Sequence, residues 1–145
     1  MKLFLITMVN SKIGAGHYFR TLRLTQYIKD TDHYQILVIC NEKKNFSNLF
    51  ENKKIKIFDN FKDAVKIVNL IYFLDYKVYF DIPNKFYDNI SLFNKKSRCI
   101  FSMNMFKEKR EIYHEDISIV PEFSTIKKMN LSTNCTEYSG TDFIA

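Results

Sequence analysis

Tryptophan is absent from this chain and glycine nearly so, with three among 145 residues. Proline occurs twice, and Pro83 and Pro121 each stand where an apolar run would have to end as a strand. Cysteine is scarce, and Cys40, Cys99 and Cys135 show no CxxC spacing. An odd, widely spaced set argues against a disulfide framework and fits a reducing cytoplasm. No apolar run is long enough to span a bilayer. The first, Leu3 to Val9, leads into Asn10-Ser11-Lys12 without a cleavage site, so it does not read as a signal peptide either. No low-complexity tract, internal repeat or linker divides the chain. Length then implies one cytoplasmic domain with a continuous core.

The bulk of that core is supplied by 14 Phe and 9 Tyr, within a composition that is 46% hydrophobic and 26% charged. Lys, Asn and Ile are abundant, a usage typical of AT-rich bacterial genomes. The net charge is +6. Its basic residues fall in groups, Lys43-Lys44, Lys53-Lys54, Lys95-Lys96, Lys107 to Arg110 and Lys127-Lys128, each in a predicted connection or at a predicted helix end. They read as solvated surface, with attraction to phosphate groups or an anionic membrane as the alternative. Nothing resembles an RNA-recognition motif, a zinc finger or a long basic helix, so no nucleic-acid partner is expected.

Apolar strand patterns alternate with helical ones. Residues 2–9 read as a strand buried on both faces, Gly16 to Lys29 as a helix, His33 to Cys40 as a second strand, and Asn45 to Glu51 as a short helix. Ile55 to Phe58 is a brief third strand. A helix over Phe61 to Leu74 follows, with Ala64, Val65, Val68 and Tyr72 on one face. Lys77 to Asp81 is a fourth strand, and Phe86, Ile90 and Phe93 mark another helix. Arg98 to Met103 and Ile117 to Val120 are the fifth and sixth strands, and Thr141 to Ala145 a last short one. Such alternation specifies an α/β, Rossmann-like fold: a mostly parallel sheet with helices on both faces. Right-handed crossovers put the functional crevice at the carboxyl ends of the strands. The loop Gly14–His17 follows the first strand, and Asp81 and Asn104 end or follow later ones, so all can line that edge.

Two of the three glycines bracket one alanine before a histidine: Gly14-Ala15-Gly16-His17. In a chain this sparing of glycine, both are expected where a side chain would obstruct something. Strand, glycine turn and helix start bring backbone N–H groups and a helix dipole towards an anionic ligand. There is no GxxxxGK[ST], and the third glycine of GxGxxG is missing, so neither a P-loop nor a dinucleotide site is expected. At a helix start the dipole disfavours imidazolium, and a neutral His17 can serve as general base. The alternative is that His17 only caps the helix or packs under the turn. Arg20, one turn on, faces either a phosphate or a carboxylate. His33 reads as exposed, His114 as structural, and Glu115-Asp116 as a solvated turn.

The run Ser11 to Leu24 resembles the N-terminal pattern of the UDP-sugar hydrolases of pseudaminic acid biosynthesis and the related spore-coat polysaccharide proteins, roughly S-x-I-G-x-G-H-x-x-R-x-L-x-L. Those proteins are similar in fold to two-domain glycosyltransferases of the B type, whose N-terminal half holds the sugar or acceptor. The resemblance implies that residues 1–145 are that sugar-side domain, without the C-terminal nucleotide-binding domain, and that turnover by this half alone is negligible. It implies that His17 activates water against the anomeric carbon of a UDP-linked amino sugar, with no metal or other cofactor. Gly14, Ala15, Gly16, Arg20, Asp81 and Asn104 would contact substrate. Two stretches depart from the family: Asp81-Ile82-Pro83 stands for its Asp-His-Tyr, and Ser102-Met103-Asn104-Met105 lacks its acidic residues. A glycosyltransferase acceptor domain, or a non-catalytic half that binds a sugar or a partner chain, are the other readings.

Overall fold

The computed structural model describes residues 2–28, 33–70, 76–93, 99–103, 114–121, 127–130 and 135–140. Its strands are β1 (Lys2–Met8), β2 (His33–Ile39), β3 (Ile55–Phe58), β4 (Tyr76–Asp81), β5 (Cys99–Met103), β6 (Ile117–Pro121), β7 (Lys127–Asn130) and β8 (Thr136–Gly140). They form one open sheet in the order β3-β2-β1-β4-β5-β6-β8-β7. Every neighbouring pair is parallel except β7 with β8. The first six strands follow the doubly wound order, so the fold is α/β and Rossmann-like. Chain direction across the sheet reverses between β1 and β4, and the carboxyl ends of those two strands flank the switch point.

Two layers cover the sheet because the strands alternate. In β1, Phe4, Ile6 and Met8 face one way and join Leu37, Ile39, Val78 and Phe80. Against them pack Ala64 and Val68 of α2 (Phe61–Leu70) and Tyr87, Ile90 and Phe93 of a 3₁₀ helix, Asn84–Phe93. Leu5 and Val9 face the other way with Ile36, Val38 and Tyr79, under Tyr18 and Leu22 of α1 (Gly16–Thr25) and a second 3₁₀ helix, Lys43–Leu49. The period of two fixes these assignments along each strand. In the β1–β4 register Leu5 lies beside Tyr79 and Thr7 beside Asp81, so both later residues share the α1 face.

Several details differ from the sequence-based expectations. The helix expected at Phe86, Ile90 and Phe93 is a 3₁₀ helix. Its buried residues Tyr87, Ile90 and Phe93 recur every third position, as three residues per turn require. The first helix stops at Thr25 rather than Lys29, which lies outside the described residues, as does Tyr72. Lys127-Lys128 belongs to a strand, the antiparallel edge β7, and not to a connection. Glu115 is not solvated but 2% exposed, accepting a hydrogen bond from Ser102 Oγ at 2.7 Å. The contact gives the buried Ser102 hydroxyl its acceptor. Asp116 caps the start of β5 by accepting from the Ile100 amide at 2.7 Å. The strand expected over Thr141 to Ala145 lies outside the described residues.

Candidate functional site

The loop between β1 and α1 is built by Asn10. Its Oδ1 accepts from the amides of Lys12 and Ile13, both at 3.0 Å, and its carbonyl accepts from Gly14 N at 2.8 Å. Closing that tight turn puts Gly14 at φ +69°, the left-handed region that an L side chain enters at a cost. Glu42, just beyond β2, anchors the outer side: its two oxygens accept from Ser11 N and Ser11 Oγ, each at 3.0 Å. Glu42 carried no motif signal, because its role is defined only by the neighbouring strand end.

Glycine is not needed here to avoid the protein's own atoms. A Cβ on Gly14 or Gly16 would meet nothing within 4 Å. Gly14 answers to its dihedral angle, and Gly16 leaves open space at the start of α1. That start is also uncapped. Ala15 stands at the N-cap and supplies no side-chain acceptor. The first amides of a helix have no carbonyl four residues back, so those of Gly16, His17 and Tyr18 point out of α1 unsatisfied by it. The start of α2 is finished differently. Asn60 Oδ1 accepts from Asp63 N at 3.0 Å, and Asp63 Oδ2 accepts from Asn60 Nδ2 at 2.9 Å.

His17 and Arg20, one turn apart on α1, converge on Asp81 at the end of β4. Asp81 is wholly buried, while the side chains of His17 and Arg20 are each 16% exposed. Arg20 grips the carboxylate with both prongs of its fork, Nε to Oδ2 at 2.6 Å and Nη2 to Oδ1. His17 Nδ1 lies 2.8 Å from Asp81 Oδ1 and 3.0 Å from Arg20 Nη2. A carboxylate held by a guanidinium is an acceptor only. In the 2.8 Å contact Nδ1–H therefore donates to Asp81, and Nε2 is the ring nitrogen that the carboxylate does not engage. No described residue bonds to Nε2. Burial opposes the guanidinium charge of Arg20, but its hydrogen bonds to Asp81 and the carboxylate's charge outweigh that and raise its pKa. Burial also drives the neighbouring Tyr79 phenol well above its usual range, so it stays neutral.

Of the residues singled out from the sequence, His17, Arg20 and Asp81 form one hydrogen-bonded cluster, and Gly14, Ala15 and Gly16 form the turn beside it. Asn104 lies outside the described residues. Arg20 meets a carboxylate, one of its two expected partners. Both Asp81 oxygens are taken by protein donors. Among the described residues no group of three His, Cys, Asp or Glu side chains is placed to hold a metal ion, and no helix is long and apolar enough to cross a membrane. No family model, curated protein or solved structure matches the chain.

Proposed function

We propose that this chain is the sugar-side domain of an enzyme acting on a UDP-linked amino sugar, a hydrolase in which His17 is the general base. What carries the reading is the His17–Asp81–Arg20 cluster at the switch point of the sheet. Asp81 orients the ring by accepting the hydrogen bond of its Nδ1–H, so Nε2 is the atom that draws a proton from water attacking the anomeric carbon. Arg20 acts one step back, as a positioning residue: it balances the Asp81 charge and fixes the carboxylate. The unfinished amides of Gly16, His17 and Tyr18 then face the charge that develops on the departing diphosphate. Gly16 leaves room for that approach.

Hydrolase and transferase differ here in one proton, taken from water or from an acceptor hydroxyl. The test is UDP release from a panel of UDP-linked amino sugars, with and without acceptor sugars. It is run on this chain and, where the reading frame continues, on the product of the whole frame. His17→Ala is expected to lower the rate roughly 10²–10⁴-fold while leaving nucleotide-sugar affinity in place. A variant as fast as wild type removes His17 from the chemistry. Release that strictly requires the acceptor replaces the hydrolase with a transferase.

A further inference from the structure

On the sheet face opposite α1, a cleft of about 740 Å³ opens at the carboxyl ends of β1, β2 and β3. Its floor is apolar, made by Met8 and Ile39, which are 7% and 3% exposed. Phe61 and Phe86 form one wall, their ring centroids 6.4 Å apart. Volumes of this order suit a small organic ligand.

The polar groups around that floor specify what kind. Asp59, Lys62, Asp63 and Lys66 contribute charges that cancel, and they are largely spoken for: Lys66 bonds Asp63 at 2.7 Å, and Lys43 bonds Asp59 at 3.1 Å. Lys62 alone of the lining cations has no ion pair among the described residues, so the lining is close to neutral and holds a single cation for an anion to meet. Of the four lining carboxamides, Asn60 is committed to Asp63 at both ends, and the other three are in the opposite condition. Asn10 uses its oxygen within the β1–α1 turn, which leaves its NH₂ as donor. Asn89 spends its NH₂ on the Phe86 carbonyl at 3.0 Å, which leaves its oxygen as acceptor. Asn41 is bonded to no described residue and offers both. Interleaved neutral donors and acceptors over an apolar floor match the hydroxyls and C–H face of a pyranose.

We infer that this cleft is a binding site for a neutral polyhydroxylated ligand of mono- to disaccharide size. The inference does not depend on His17 being a base, since the cleft lies on the other face of the sheet and shares only the Asn10 turn with the candidate catalytic cluster.

The experiment is a ¹H–¹⁵N NMR titration of the chain with methyl glucoside, N-acetylglucosamine and maltose, and in a separate arm with inorganic phosphate. At least one neutral sugar is expected to shift the carboxamide resonances of Asn10, Asn41 and Asn89. The variant Asn41→Ala/Asn89→Ala is expected to bind that sugar at least about tenfold more weakly. Asn41→Ala alone alters an exposed residue and serves if the pair perturbs folding. The site is refuted if no sugar moves these resonances, if the asparagine variants bind as tightly as wild type, or if phosphate alone moves them.

Discussion

Asp81 carries more consequence than any other single residue described. It is a carboxylate with no exposure, neutralised by one guanidinium and hydrogen-bonded to one imidazole. Removing its cation leaves a buried charge unmatched. Arg20→Met is therefore expected to destabilise by about 3–5 kcal/mol in chemical denaturation. The double variant Arg20→Met/Asp81→Leu should recover much of that loss, because an apolar pair removes the charge as well as its partner. Equal losses in single and double variants would contradict a charge-balancing role. Thr7, beside Asp81 in the register, has a buried hydroxyl without a partner among the described residues. Thr7→Val is expected to leave stability unchanged or raise it by up to about 1 kcal/mol, read as a shift in urea midpoint. At this scale the sequence was partly legible. The i, i+3 relation of His17 and Arg20 could be read from helical periodicity. That Asp81 would be their shared partner required knowing that β4 lies next to β1 and that Asp81 shares Tyr79's face.

Helix starts distinguish the functional edge from the rest. The α2 start is closed by its own Asn60 and Asp63, and the α1 start is left with an alanine where a capping residue commonly contributes about 1 kcal/mol. The first amides of α1 are thereby left without a side-chain acceptor from the N-cap. The two glycines then separate by experiment. Gly14→Ala must carry φ +69° and is expected to cost about 1–2 kcal/mol. Gly16→Ala meets nothing within 4 Å, so its melting temperature is expected to match or slightly exceed that of wild type. If the space over Gly16 receives a diphosphate, the same variant loses UDP release despite being fully folded. Element identity was legible wherever apolar residues repeat at a clear period. The 3₁₀ character of Asn84–Phe93 was not, because Phe86, Ile90 and Phe93 fit an α-helical spacing, whereas Tyr87 completes the three-residue repeat that is actually buried.

Taken as one molecule, the sheet could be anticipated as far as β6, since continuous apolar runs and intervening helices dictate parallel pairing. The last two strands, KKMN and TEYSG, carry too little apolar signal to stand out. β8 is held by the edge of β6 that it covers, and β7 in turn pairs antiparallel with β8. The same apolar interior determines how the fold answers to pH. Burial raises the phenols of Tyr18, Tyr76 and Tyr79 above their ordinary value of 10.0 and the Cys40 thiol above 9.0. A group whose pKa is higher when folded holds its proton more tightly in the native state. Its contribution is complete below the unfolded value and declines as pH rises through the folded one. The melting temperature should thus stay level through neutral pH, begin to fall above about pH 9, and fall faster above about pH 10. Tyr76 allows the cause to be isolated, because its hydroxyl is buried without a partner among the described residues. Tyr76→Phe is expected to be at least as stable as wild type at pH 7 and to lose less on alkaline titration. A melting temperature that falls equally in both proteins would mean that the alkaline loss does not arise from this phenol.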